Sequence, residues 1–253
     1  DRSVSRGLGD VYKRQVKNEL YAGDISFIGS MYNEKHNLYD RLCGVNDYTK
    51  GYLDAIMKVQ RSIYGYFFLE DMLKGDVLDE MMRVCPVKPN EDGVETVQYV
   101  YANYFLARRM ATDERTDILS RVGRELGREN KINLYTPDAS VRFINVNNKG
   151  TVDYYNEMPY VFRNSRINLN ITLRSIKSGI PLRCMDICGA GGFLLSNYQA
   201  DLYDVFVPGE DMVIYDSIDD LMNKCKYYLS HDAERRQIAQ NGFGTVSYTH
   251  LTL

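Results

Sequence analysis

The sequence predicts an α/β fold in which a parallel sheet is interrupted by a helical section. Short apolar runs recur along the chain, beginning with ISFIGS at Ile25–Ser30, and such runs are typical of buried strands. After about residue 127, segments with helical spacing separate these runs. Strands that alternate with helices form parallel sheets through right-handed crossovers, so these observations favour the α/β class.

The middle of the chain, about residues 47–127, is predicted to be mostly helical. Tyr52–Leu73 places its apolar side chains on one helical face, and Val77–Val84 continues as a shorter helix after Gly75. The loop composition of PVKPNEDG (Pro86–Gly93) separates these helices from the next ones. Two further helices are predicted at Val94–Met110 and Asp113–Leu126.

Strands and helices are predicted to alternate over the rest of the chain. The predicted strands are Ile132–Thr136, Val141–Val146, Ile167–Ile171, Phe193–Asn197 and Asp211–Tyr215. The predicted helices are Val152–Arg163, Pro181–Cys188, Asp201–Phe206, Ile218–Ser230 and Ala233–Asn241. We expect each helix to return the chain to the start of the next parallel strand.

The composition excludes several classes of protein. The chain is 44% apolar and 26% charged with a net charge of −3, so it has no basic excess to suggest a nucleic acid partner. It contains no apolar run approaching the roughly 18 residues of a transmembrane helix. The odd number of cysteines, without framework spacing, predicts reduced thiols in a cytoplasmic protein and no metal site. These cysteines are Cys43, Cys85, Cys184, Cys188 and Cys225.

The two ends of the chain have an unusual composition. Back-translation of Ser5–Gln15 and of Val246–Leu253 matches the two adapters of a sequencing library, in opposite orientations. Segments of this kind are excluded from fold reasoning. We therefore expect residues 1–15 and 245–253 to be adapter-derived and non-native, and residues 16–244 to be a piece of a longer gene.

A loop after the predicted strand Ile167–Ile171 is the first candidate for chemistry. In an open parallel sheet, ligands bind beyond the carboxyl ends of the strands. Pro181 is suited to the beginning of a helix, where free backbone amides and the helix dipole favour a phosphate. The positive charges available to such a phosphate belong to Arg174, Lys177 and Arg183.

The helix that follows carries an acid and ends in glycines. Asp186 lies about one turn inside, where a carboxylate would accept hydrogen bonds from ribose hydroxyls. Gly189, Gly191 and Gly192 would allow a ligand to approach the backbone closely. Two alternatives remain open: Asp186 is a solvated helix position, and the glycines only end the helix. The chain lacks GxGxxG after a first strand, a Walker A motif and an Asp-x-Asp pair. Without such a specific motif, the residues alone predict a nucleotide-binding α/β domain and no narrower class.

The stretch INLNITLRSIKSGIPLRCMDICGAGGFLLSN, within Lys131–Phe243, resembles the CgeB-like (spore-maturation) glycosyltransferases. The resemblance implies the C-terminal, Rossmann-like half of a GT-B architecture, which binds a nucleotide-sugar donor. It further implies that no metal or other cofactor is required, that the donor is a UDP-sugar, and that the acceptor remains unknown. The general base would then belong to an N-terminal domain, so this piece would be inactive alone and its own catalytic residues are unknown.

The resemblance also assigns expected roles to individual residues. Asp186 corresponds to the second acid of a Glu-x7-Glu pair, whereas the position of the first acid is occupied by Ser178. Gly29 and Ser30 correspond to a diphosphate-binding turn, and Lys35 to a basic residue near it. Because of Ser178, a non-catalytic spore-coat or surface-related protein with the same fold stays as the alternative. A nucleotide-binding module of another class, such as an epimerase, is a further one.

Overall fold

Parallel strands in the order β3-β2-β1-β4-β5-β6 form the central sheet of the computed structural model. The structure describes residues 19–33, 37–89, 93 and 95–251, with the backbone only from residue 248 onward. The strands are β1 (Gly23–Ile28), β2 (Ile132–Tyr135), β3 (Val146–Asn148), β4 (Ser165–Asn170), β5 (Leu194–Asn197) and β6 (Val213–Tyr215). The predicted Rossmann-like α/β class is confirmed, and the sheet is consistent with a domain of the GT-B type.

Helices flank this sheet and also form the section between β1 and β2. The α-helices are α1 (Asp47–Arg61), α2 (Leu69–Met72), α3 (Gly75–Val84), α4 (Val97–Val100), α5 (Ala107–Leu126), α6 (Met158–Asn164), α7 (Leu182–Gly189), α8 (Ile218–Ser230) and α9 (Asp232–Leu251). A π-helical segment, Tyr101–Leu106, joins α4 to α5, and short 3-10 helices lie at Leu38–Leu42 and Ala200–Asp204. None of the helices in the described part of the chain is both long and apolar enough to cross a membrane.

Alternate residues of the strands supply two hydrophobic cores, one on each face of the sheet. Ile25 and Phe27 of β1 belong to the core under α5 and α8, whereas Ile28 belongs to the core under α6 and α7. The last helix crosses between these faces, because Ile238 packs in the first core and Val246 in the second. A third core lies within the helical section itself.

The strand directions define two edges of the sheet. Ile25 of β1 pairs with Ile132 of β2 and Ile167 of β4, and all the pairings are parallel. All strands therefore end at one edge, the carboxyl edge, and begin at the opposite amino edge. Because α5 leads directly into β2, its first residues lie at the carboxyl edge, and the helical section lies beyond that edge.

Several predicted helices have different bounds in the structure. Tyr52–Leu73 divides into α1 and α2, because the buried Gln60 side chain donates to the backbone carbonyls of Ile63 and Tyr66 and holds a turn between them. The predicted break between residues 110 and 113 is absent, and one helical rod continues from α4 to the end of α5. Val152–Arg163 is helical only from Met158, since the Asp153 side chain stabilises a preceding turn.

The prediction of a strand at Val141–Val146 was wrong over most of its length. The backbone turns at Ile144 and Asn145, where Asn145 has φ +57°, and β3 begins only at Val146. Val141 and Phe143 still pack against the core, so their apolar character reflects burial in a turn.

Several expectations from the sequence stay untested. Residues 1–15 and Lys35 lie outside the described residues. At the other end, α9 continues to Leu251, and the adapter origin of residues 245–253 stays a prediction. All five cysteines are free thiols, as predicted.

Candidate functional site

Arg115, in the middle of α5, reaches the centre of the carboxyl edge with its side chain. Its guanidinium donates hydrogen bonds to the backbone carbonyl of Ser30 and, at 2.6 Å, to that of Ile171. It lies over the rings of Phe27 and Tyr32 and is only 7% exposed. Burial lowers the pKa of Arg115. The ends of β1 and β4 are thus joined by a buried cation, which the sequence analysis missed.

The turn after β1, which contains Gly29 and Ser30, is held by one hydrogen bond to β2 and one within the turn. The Gly29 amide donates to the carbonyl of Tyr135 at 3.0 Å, and the Ser30 hydroxyl accepts from the amide of Tyr32 at 2.9 Å. The turn lies at the carboxyl edge, and its role as a diphosphate-binding turn, which the resemblance implies, stays a prediction. Its Gly29 amide is already used by the neighbouring strand.

Arg174, expected from the sequence to supply charge to a phosphate, forms an internal ion pair. Its Nη2 lies 2.6 Å from Oε1 of Glu114, and the two side chains are 4% and 3% exposed. The guanidinium also lies 3.2 Å from the centre of the Tyr64 ring and donates to the carbonyl of Arg61 at 3.2 Å. The helical section and the loop after β4 are therefore held together by a desolvated ion pair, and the charge of Arg174 is neutralised within the protein.

Lys177 lies further along the same loop and is half-exposed. Its Nζ is 3.0 Å from Oε2 of Glu70 in α2, so the loop has a second contact with the helical section. Lys177 and Arg174 line a cavity of about 190 Å³ together with Tyr66 and Tyr198. Ser178 is exposed to solvent, in the position that a first acid would occupy.

Asp186 lies in the middle of α7 and has two defined partners. The hydroxyl of Tyr154 donates to its Oδ1 at 2.7 Å, and this hydrogen bond raises the pKa of Tyr154. Nη1 of Arg183 lies 3.6 Å from Oδ2. Pro181 caps the beginning of the helix, so the first helical residue is Leu182. The carboxylate is held in one orientation on a partly exposed surface.

A groove of about 710 Å³ runs along α7, between this helix, α6 and the end of α9. We call it the α7 groove, and its lining includes Tyr154, Tyr155, Met158, Phe162, Leu182, Asp186, Gly189 and Val246. Tyr155 is 82% exposed and Leu182 is 76% exposed, so large apolar surfaces flank the carboxylate. Tyr154 and Tyr155 were not predicted as site residues; the adjacent Tyr-Tyr in a polar stretch was the available signal.

The glycines after α7 separate into two groups. Gly189 lines the α7 groove. Its expected position close to a ligand stays a prediction. Gly191 and Gly192 lie at the amino edge, because α7 runs antiparallel to the strands, and so they are remote from the beginning of the helix. A side chain on Gly192 would meet the Phe162 carbonyl oxygen at 2.7 Å, and Gly191 has φ +77°. Ending the helix and packing closely account for both residues.

Metal-binding clusters are absent from the part of the chain that the structure describes: no three His, Cys, Asp or Glu side chains converge there. A family model described as "Glycosyl transferase-like" matches residues 115–252, which include β2 to β6 and the whole α7 groove. A search of curated proteins finds no match. The family match indicates glycosyl transfer in general.

Proposed function

The chain belongs to the glycosyl transferase-like family, and from this premise we propose that the α7 groove binds the nucleotide part of a sugar donor. The observation that carries the proposal is the Asp186 carboxylate, oriented by Tyr154 at 2.7 Å within an open, partly apolar groove. A carboxylate in this setting accepts hydrogen bonds from ribose hydroxyls, and the exposed ring of Tyr155 offers a surface on which a base would stack.

The diphosphate would lie at the beginning of α7. Backbone amides at a helix start and the positive end of its dipole attract phosphates, and Arg183 and Lys177 are the nearby cations of this loop and helix. The turn at Gly29 and Ser30 would approach the same ligand from β1. Gly189 would let the donor approach the helix, while Gly191 and Gly192 would act by ending it.

Glycosyl transfer would then proceed without a required metal. Arg183 and the helix-start amides would stabilise the negative charge that develops on the leaving diphosphate. Since Ser178 replaces an acid, no carboxylate at that position would assist the donor sugar. We propose that this chain is the donor-binding half of a CgeB-like, cytoplasmic parent enzyme of GT-B architecture. The donor of that enzyme would be a UDP-sugar. The family match does not favour the non-catalytic alternative.

Binding of UDP to the chain, measured by isothermal titration calorimetry, tests the proposal. Removing the charge in Asp186→Asn should weaken UDP binding about 10- to 100-fold, since hydrogen bonds to charged groups contribute roughly 1.5–3 kcal/mol. Asp79→Asn is the matched control, because Asp79 is exposed on α3 in the helical section. Equal UDP affinity of both variants and the wild type would contradict the assignment of Asp186.

Hydrogen exchange distinguishes the transferase from another nucleotide-binding class. UDP should protect the backbone amides of residues 178–192, which contain α7, whereas NAD should leave their exchange rates unchanged. Protection by NAD alone would favour an epimerase-like module. In the full-length parent, transfer from a radiolabelled UDP-sugar would separate an enzyme from a protein that only binds the donor.

A further inference from the structure

A cavity of about 490 Å³ lies at the amino edge of the sheet, between the end of α6, the beginning of β4 and α9. We call it the amino-edge cavity. The α7 groove has no lining residue in common with it. Its defining feature is a set of arginines that reach it from three elements. They are Arg163 of α6, Arg166 of β4, and Arg235 and Arg236 of α9.

The carboxylates around this cavity do not balance its arginines. Asp232 is shared by three of them, at 2.7 Å from Arg166, 3.0 Å from Arg235 and 3.9 Å from Arg236. Asp24 lies 3.2 Å from Arg166. Hydrogen bonds from Arg166 and Arg235 lower the pKa of Asp232 to about 2, so it stays ionised. Four guanidinium groups thus face two carboxylates, in a chain whose net charge is −3.

The fourth arginine and two buried polar atoms have unused hydrogen-bonding capacity. Arg163 donates through Nε to the carbonyl of Ala190 at 3.2 Å, and no carboxylate pairs with it in the described part of the chain. Ser165 and Arg235 line the cavity and are 4% and 7% exposed. Within the described residues, the Ser165 hydroxyl and the Arg235 Nε have no hydrogen-bond partner. Buried polar atoms are rarely left in this state.

We infer that the amino-edge cavity binds a phosphate group, either inorganic phosphate or a phosphomonoester. Arginine forks match the oxygens of phosphate, and donors from three directions suit an anion with three terminal oxygens better than a flat carboxylate. Asp232 positions Arg166 and Arg235 and reaches Arg236 only at 3.9 Å, so that Arg163 and Arg236 can turn to the ligand. Phe243, 44% exposed at the rim, gives an apolar wall for the organic part of a monoester.

Calorimetric titration of the whole chain with inorganic phosphate, at constant ionic strength in chloride buffer, tests this site. Arg163→Gln and Arg236→Gln should each weaken phosphate binding at least about tenfold. Arg124→Gln makes the same charge change on α5, where the exposed side chain donates to the Ser120 carbonyl of its own helix, and should leave binding unchanged. Arg236 is 75% exposed, so its replacement should not affect folding.

Comparing the binding of inorganic phosphate, a phosphomonoester and lipid vesicles distinguishes the possible sources of the phosphate group. Tighter binding of glucose 1-phosphate than of inorganic phosphate would assign the site to a phosphomonoester, and equal binding would assign it to phosphate alone. Binding only to vesicles that contain phosphatidic acid would overturn the inference of a cavity site. No binding of either soluble ligand, or an equal loss in Arg124→Gln, would overturn it as well. The UDP titrations above are independent of this outcome, because the two cavities share no lining residue.

Discussion

Replacing Arg174 by methionine removes one half of the buried ion pair with Glu114 and tests what holds the helical section on the sheet. The two side chains are 4% and 3% exposed and share hydrogen bonds of 2.6 and 3.3 Å. At an effective dielectric constant of about 20, two charges about 4 Å apart attract each other by roughly 4 kcal/mol. Loss of one partner leaves the other charge buried and uncompensated, which typically costs about 3–5 kcal/mol.

We therefore expect Arg174→Met to lower the free energy of unfolding by about 3–5 kcal/mol. Glu114→Leu should cost less, because Arg174 keeps the Tyr64 ring and the carbonyl of Arg61 as partners. The double variant should be more stable than the sum of the single losses predicts, since well-packed apolar pairs often replace buried ion pairs without loss. Urea unfolding followed by far-ultraviolet circular dichroism measures all four proteins.

Two results would refute this reasoning. A loss below about 1 kcal/mol for Arg174→Met would mean that the pair is solvated, as surface pairs are. Strict additivity of the single variants would mean that the two side chains are not coupled. A separate measurement concerns function: because the charge of Arg174 is neutralised internally, folded Arg174→Met should bind UDP within about twofold of the wild type.

Three further predictions concern other parts of the molecule. Gly192→Ala should lower the free energy of unfolding by about 1–3 kcal/mol, because its Cβ would meet a backbone carbonyl oxygen at 2.7 Å; Gly51→Ala, with open space on α1, should raise it by about 0.4–1 kcal/mol. At a pH above the unfolded pKa of about 3.9, the wild type should have a higher urea midpoint than Asp232→Asn. This difference should vanish as the pH falls through the folded pKa of about 2. A difference that persists at pH 1.5 would contradict the role of Arg166. The exposed Cys43 should react first with a disulfide reagent at pH 8, whereas the buried Cys184, with a pKa raised to about 12, should react only on unfolding; fast release of several thiols from the native protein would show that these sites are open.

The sheet could be predicted from the sequence because its central strands are buried on both faces. The apolar residues of runs such as Ile25–Ile28 and Leu194–Leu195 are divided between the two cores. The one polar residue of these runs, Ser26, donates a hydrogen bond to Asn168 of the neighbouring strand. β3 is only partly buried at the edge of the sheet, and its residues, Val-Asn-Asn, carry little signal. The prediction divided the helical rod from α4 to α5 at Ala111 and Thr112. Thr112 instead donates to carbonyls of Tyr32 and Arg108, which keeps the helix continuous.

The candidate site was predictable only where its residues follow one another in the chain. Asp186 was predicted to lie on a short helix that ends at Gly189, and the structure places both residues on the α7 groove. Tyr154 lies 32 positions before Asp186, and its hydrogen bond depends on how α6 packs against α7. Arg174 was expected at a ligand because it follows a strand, yet its charge is neutralised by Glu114 from a helix 60 positions away. Partners so distant in sequence leave no local pattern.

These contacts explain why the proposed donor site lies along α7 rather than over the centre of the sheet. Parallel sheets offer ligands a crevice beyond their carboxyl ends, but here Arg115 occupies the space between the ends of β1 and β4. The ion pair of Arg174 with Glu114 lies beside it, and its charges are neutralised within the protein. Leu182, Tyr155 and Asp186 line an open groove along α7. The helical section is thus consistent with the proposed ligand site along α7, because its Arg115 fills the space between the ends of β1 and β4.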